Sequence, residues 1–224
     1  MKPLALVPAK AYSERLPRKN LRLLAGKPLL AWTLEAAFAT GIFADVWVSS
    51  ESDEVLDVAR DYGARALRRP AELVLPGATV SHVILHARQA LEWSGPLSIL
   101  IPSSPFRSAL TLAAAWQSFG TRAALLSVRP LDHPPEWAFR MVPITGELRA
   151  VVPQLVDAPR SALERAYRHD GSHFLLGPAN REGTVHGFEV DPIEAVDINT
   201  AEDLDYAEYL LDRGRVPWIS RAIN

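Results

Sequence analysis

Short apolar runs alternate with longer stretches of helical period along the chain. LALV (residues 4–7), DVWVSS (45–50), LSILI (97–101) and AALLSV (123–128) carry apolar side chains on both faces, as buried parallel strands do. Between them, Leu30, Leu34, Ala37 and Phe38 fall on one helical face, and Val80, Val83, Ile84, Ala87 and Leu91 share another over 79–92. Ser50 ahead of Asp53 and Thr200 ahead of Asp203 have the spacing of helix N-caps. Pro105, after Ser104, suits a first helical turn. Strands separated by helices predict parallel βαβ units, right-handed crossovers and helices on both faces. The fold class is α/β, with a mostly parallel sheet.

The rhythm breaks after Pro130. PLDHPPEWAFRMVPITGELRAVVPQLVDAP (130–159) holds six prolines in thirty residues and no helical period. It reads as an excursion of turns and edge strands at about 130–170, inserted in a single domain spanning 1–224. SHFLLG, TVHGFEV and AVDI then resume strand-like runs. Ala201 to Arg213 forms the last helix, and RGRVPWISRAIN is a tail.

Length and composition narrow the classes. A chain of 224 residues suits one α/β domain with a small elaboration. Lys+Arg 24 against Asp+Glu 26 gives a net charge of −2, which argues against a nucleic-acid binder and makes any basic surface local. The absence of cysteine removes disulfides, thiolate metal ligands and a cysteine nucleophile. No run approaches the ~20 apolar residues of a membrane span, and the N-terminal apolar run is too short for a signal peptide. The expectation is a cytoplasmic protein that binds neither nucleic acid nor membrane.

Open parallel sheets bind ligands outside the carboxyl ends of their strands. VPAKAYSERLPRKN (7–20) leaves the first strand there with Lys10, Ser13, Arg15, Arg18, Lys19 and Asn20. SSESD (49–53), IPSSPFR (101–107) and the end of AVDINT should border the same crevice. Cations facing a carboxylate at such a place suit a phosphate ligand bridged by Mg2+. Neither G-x-G-x-x-G after the first strand nor G-x-x-x-x-G-K-[ST] occurs, which disfavours a dinucleotide dehydrogenase and a P-loop ATPase. The lack of G-x-S-x-G speaks against an α/β-hydrolase.

VPAKAYSERLPRKN, followed by AGKPLLAW, VSSESD and DYGA, resembles the N-terminal half of the CMP-sialic acid synthetases, the acylneuraminate cytidylyltransferases. RRPAEL, IPSSPFR and VDINTAEDLDYAE are similar to three further segments of that family, in the same order. AYRHDGSHFLLG is similar to pseudaminate-type members. The resemblance implies a Rossmann-like sheet of the nucleotide-diphospho-sugar transferase type, whose Pro-rich excursion serves dimerisation. It also implies one chemical step: the anomeric hydroxyl of a nonulosonic acid attacks the α-phosphate of CTP, and pyrophosphate leaves with Mg2+ assisting. On this resemblance Ala9, Lys10, Ser13, Arg15, Lys19 and Asn20 would line the triphosphate, and Arg69 the cytosine. Ser103, Ser104, Arg107, Arg160 and Tyr167 would meet the sugar, Asp197 and Asn199 the metal. Lys10, Lys19 and Asp197 would carry catalysis. The partners implied are CTP, a nonulosonic acid and a second copy of the chain, in cell-surface carbohydrate biosynthesis.

Several positions depart from the family pattern. Lys10 stands for an arginine, keeping charge but losing bidentate geometry. Glu14 stands for a lysine, Glu51 for the aspartate of V-S-T-D, Ile101 for a glutamine and Asn199 for an aspartate. VLPGA replaces the aspartate expected after PAEL. Glu14 either points outward, pairs with Arg15 or Arg18, or reports a different ligand. These departures leave two alternatives to an active cytidylyltransferase: a silent nucleotide- or sugar-binding homologue, and an enzyme with a changed nucleotide or acceptor. His82 and His86 share a face at i, i+4 spacing, but without an evident third ligand they read as packing or surface residues. His169, His173 and His186 lie in the segment expected near the acceptor, and the six Trp read as core or interface.

Overall fold

The run LALVP becomes an interior strand of a seven-stranded sheet in the computed structural model, which describes residues 1–179 and 181–218. This is β1 (Leu4–Pro8). A two-residue hairpin, β2 (Leu23–Leu24) and β3 (Lys27–Pro28), leads into α1 (Leu29–Thr40). β4 (Val46–Ser50), α2 (Asp53–Asp61), β5 (Arg65–Arg68) and α3 (Val80–Ala90) follow, then β6 (Leu97–Leu100), α4 (Ala109–Phe119) and β7 (Ala124–Pro130). The excursion carries the hairpin β8 (Phe139–Met141) and β9 (Leu148–Ala150). The chain returns through β10 (Tyr167–Leu176) and β11 (Val185–Glu189) to α5 (Ala201–Asp212).

The sheet order is β11-β7-β10-β6-β1-β4-β5. All neighbours run parallel except β10, which lies antiparallel to both β6 and β7. The mostly parallel α/β expectation therefore holds. The alternation of β1 splits the core. Ala5 and Val7 pack with Leu30 and Leu34 of α1, Val55 of α2 and Leu112 of α4, whereas Leu4 and Leu6 pack with Ala87 of α3. Helices thus cover both faces. A third cluster joins Leu29 and Trp32 to Phe106, Ile198 and Leu210, clamping α5 onto the loop after β6. Phe106 is fully buried there, and emptying such a site costs about 3–5 kcal/mol.

Several local expectations are corrected. Ser50 is the last residue of β4, and Ser52 is the N-cap position of α2, with no side-chain cap bond. Pro105 precedes the helix rather than opening it. Ser108 caps α4 by accepting from the N–H of Thr111 at 3.0 Å. AVDI forms turn and irregular backbone, because Ile198 N–H is satisfied by Ser103 O rather than by a strand. Tyr167 to Asp170, expected in the excursion, belong to β10. Phe38 and Val80 end up exposed, at the rims of their apolar stripes. The Thr200–Asp203 cap is formed as expected, with each side chain taking the other's backbone N–H. β5 was not legible: in this edge strand only Leu67 is buried, between solvent-facing arginines. The last six residues of the tail, 219–224, lie outside the described residues.

Candidate active site

The carboxyl ends of β1, β5 and β6 open onto a crevice of about 540 Å3. Its floor and one wall come from the loop after β1, through Lys10, Tyr12, Glu14, Lys19 and Asn20. Arg69, after β5, and Ile101 to Ser103, after β6, close the base. The opposite wall is the segment from Leu73 to Val80, which sequence reasoning registered only as a missing aspartate. Its legible signal was the Pro-Gly pair of VLPGA: Gly77 has φ +94°, a turn conformation glycine adopts without strain.

Hydrogen bonds hold the cationic loop. Ala9, fully buried, donates its N–H to Ser49 O at 2.9 Å, continuing the β1–β4 pairing. Ala11 N–H donates to Glu51 Oε1 at 2.8 Å, and Asn20 Nδ2 donates to Lys10 O at 2.8 Å. Asn20 is buried, so its role in the loop includes bracing the backbone under Lys10. Arg69 is also buried, donating through NH2 to Ser49 O at 2.5 Å, while its Nε finds no partner. Burial lowers the Arg69 pKa, and the facing Glu51 partly offsets this. Glu51 Oε2 and Ser49 Oγ are likewise buried without partners.

Lys19 connects the loop to the segment before α5. Its Nζ donates to Asn199 Oδ1 at 2.9 Å, and Asn199 Nδ2 donates to Asp197 Oδ2 at 2.5 Å. Desolvation lowers the Lys19 pKa; Asp197 and Asp203 oppose that, while Arg15 and Lys10 add to it. Lys10, Arg15, Lys19, Asp197 and Asn199 are therefore one electrostatic cluster, of which Lys10 and Lys19 line the crevice while Asp197 and Asn199 stand beside it. Ser13 is half-buried and Arg15 exposed on the same loop, outside the crevice lining.

Glu14 lines the crevice. Arg18, a partner considered for it, pairs with Glu54 instead. The acid therefore stands in the same crevice as Lys10 and Lys19.

The structure does not bring every expected residue together. Ser103 lines the crevice, but Ser104 is buried with its Oγ unpaired. Arg107 is withdrawn from the crevice altogether. It is fully buried, donating through NH2 to Ser172 O at 2.5 Å and Ile101 O at 3.2 Å, and through NH1 to Thr33 Oγ1 at 3.5 Å. Burial lowers its pKa to about 10, so it stays charged at neutral pH, countered by Asp170 and Glu194. In this structure it ties the end of β6 to β10. Arg160 sits exposed on a single 3-10 turn (Arg160–Ala162), and Tyr167 opens β10 beside a separate depression with Val128, Gly187 and Glu189.

Four of the histidines are engaged elsewhere, and His86 Nδ1 is buried without a partner. His82 Nδ1 accepts from Thr79 N–H at the start of α3, and His173 Nε2 meets Ser98 Oγ at 2.8 Å inside the sheet. His169 stacks edge-on against Phe174, and His186 meets Thr184 Oγ1. Among the described residues, no three His, Cys, Asp or Glu converge as a metal site. Trp32, Trp93, Trp137 and Trp218 donate their indole N–H to backbone carbonyls, as anchoring residues do.

Comparison with known proteins places this geometry. A cytidylyltransferase family model matches residues 4–87, the part that builds β1, its loop and the crevice floor. The CMP-N,N'-diacetyllegionaminic acid synthase of Legionella pneumophila is 36% identical over 161 residues, covering 69% of this chain and 68% of the relative. The chain belongs to the cytidylyltransferase family. The motif resemblance to its acylneuraminate members therefore holds. The pseudaminic acid cytidylyltransferase of Campylobacter jejuni subsp. jejuni is 27% identical over 226 residues, covering 94% of this chain and 96% of the relative. A CMP:2-keto-3-deoxy-manno-octonic acid synthetase solved with CTP shares the fold. Its TM-score is 0.71 at 16% identity, covering 95% of this chain and 99% of that one. At that identity the likeness speaks for the fold alone.

Proposed function

We propose that the protein is a cytidylyltransferase coupling CTP to a nonulosonic acid, giving the CMP-sugar and pyrophosphate. The observation that carries this is the cationic loop of Lys10, Lys19 and Asn20 facing Arg69 across one crevice, in a chain of this family. The acceptor's anomeric oxygen forms a bond to the α-phosphorus of CTP as the bond to the β-phosphate oxygen breaks. The hydroxyl proton passes to solvent. Such a displacement needs alignment and charge neutralisation more than covalent help. Lys10 and Lys19 supply positive charge at fixed positions, and the desolvation of Lys19 strengthens its pull on an anion. Arg69, held by Ser49 O, lines the crevice and is assigned to the cytosine.

Asp197 exposes its carboxylate beside this cluster and would hold Mg2+. The donor set fits an ion that arrives with its substrate, because Mg2+ keeps waters and takes phosphate oxygens alongside one or two carboxylates. Bound there, it would neutralise the triphosphate charge that the lysines leave uncompensated.

The same reading makes the protein a cytoplasmic homodimer supplying activated sugar for cell-surface carbohydrate. The excursion presents Phe139, Met141, Ile144 and Leu148 to solvent, an apolar hairpin suited to a second copy. Nucleotide selectivity tests the core assignment. Calorimetric titration with Mg2+ present should show CTP binding more tightly than UTP, ATP or GTP. Lys19→Ala should lower turnover at least ~100-fold, as expected on removing one transition-state cation. Equal affinity for all four nucleotides, or full turnover in that variant, would overturn it.

A further inference from the structure

Asn199 stands between the loop lysine and the exposed carboxylate, and its orientation is chemically determined. An ammonium only donates and a carboxylate only accepts, so the amide oxygen must face Lys19 and the amide nitrogen Asp197. The contacts measure 2.9 Å and 2.5 Å. The backbone is fixed as well: Asn199 N–H donates at 2.8 Å to Asp203 Oδ2, the oxygen that also takes Thr200 N–H at the start of α5. Turning Oδ1 toward a cation would break the Lys19 bond and leave the ammonium, already half-buried, without this acceptor.

We infer that Asn199 is a positioning residue for Lys19 and not a metal ligand. The inference rests on the nucleotide reading above and deepens it. A neutral amide tethers the lysine across the 180 residues that separate them without cancelling its charge, so the full charge stays available to the ligand's phosphates. A carboxylate at 199 would form an ion pair with Lys19 and compete with those phosphates. The surroundings reinforce this, since Lys10 and Arg15 on one side and Asp197 and Asp203 on the other already set the local charge balance. Asp197 is then the one residue of the pair left to meet a metal.

The test uses the full chain and its variants Asn199→Ala and the near-isosteric Asn199→Asp. Calorimetry measures binding of inorganic tripolyphosphate with EDTA present, so no divalent ion takes part. Turnover against Mg2+ concentration, with CTP and the acceptor, gives the half-activating Mg2+ level. Loss of the tether should weaken tripolyphosphate binding roughly fivefold in Asn199→Ala. The competing charge should weaken it about tenfold or more in Asn199→Asp. The half-activating Mg2+ level should stay unchanged in Asn199→Ala. Unchanged tripolyphosphate binding in both variants, with a raised Mg2+ requirement in Asn199→Ala, would make Asn199 a metal ligand and overturn the inference. A wild-type protein that binds neither tripolyphosphate nor CTP would overturn the nucleotide reading, and this inference with it.

Discussion

Glu51 Oε1 accepts the backbone N–H of Ala11 at 2.8 Å, fastening the end of β4 to the cationic loop after β1. The charge of the same side chain also acts on the buried Arg69, which is itself held by Ser49 O, so one carboxylate fixes the loop and offsets the cost of burying the guanidinium. Glu51→Ala should leave the part-buried amide of Ala11 without this acceptor and Arg69 without a nearby countercharge, costing about 1–3 kcal/mol of stability. The KM for CTP should rise more than kcat falls, because the loop assigned to the nucleotide loosens. Glu51→Gln retains an acceptor for Ala11 and should lose less of both. Denaturant unfolding and initial-rate kinetics check the two parts separately.

Glu14 lines the crevice with Lys10 and Lys19, where a triphosphate bound as proposed would meet it as a like charge. Glu14→Lys should lower the KM for CTP several-fold, by about 1 kcal/mol at a solvent-screened site. The gain should shrink as salt is raised from low to physiological ionic strength. A KM unchanged at every ionic strength would place the glutamate away from the phosphates.

His173 is fully buried against Ser98, and its pKa is lowered to about 3, first by burial and then by the Arg107 and His169 charges. The unfolded chain takes up this proton below about 6.5, while the folded chain resists it. Stability is therefore complete above that pH and falls as the solution is acidified toward 3, with a slope near 1.4 kcal/mol per pH unit from this group alone. His173→Gln should flatten the slope between pH 6 and 4, whatever its effect at pH 8. Denaturation midpoints across that range give the answer.

The hairpin of β8 and β9 exposes Met141 and Leu148 at 64% and 60%. Two acids on this face, in Met141→Glu with Leu148→Glu, should halve the mass measured by sedimentation equilibrium while leaving the sheet intact by circular dichroism. A wild-type monomer would remove the dimer from the account.

Much of the sheet could be read from the sequence because its parallel strands are apolar on both faces. LALV, VWVSS and LSIL announce themselves without context. The strand β5 could not, since an edge strand buries one residue in four and looks like a charged loop. Nor could the direction of β10, which depends on the excursion reversing the chain before it re-enters between β6 and β7. At the site, the loop cations were legible from type and order, and Arg69 only through the resemblance of RRPAEL to a family segment. Arg107 shows where that reasoning fails: a motif arginine after a strand suggests a ligand, yet packing turned its donors onto Ile101 and Ser172 carbonyls. Glu51 was visible only as a departure from a motif. Its partner, Ala11, is a backbone group forty residues away, and no local pattern encodes that bond.

Pyrophosphate release from purified protein with Mg2+ tests the central claim most directly. Each of the four nucleoside triphosphates is paired with N-acetylneuraminate, pseudaminate, legionaminate and 3-deoxy-octulosonate. Release with CTP and a nonulosonic acid, absent when either is omitted and lost in Lys19→Ala, is the predicted result. CTP binding with no release from any pair, or release driven by a different nucleotide, would contradict it.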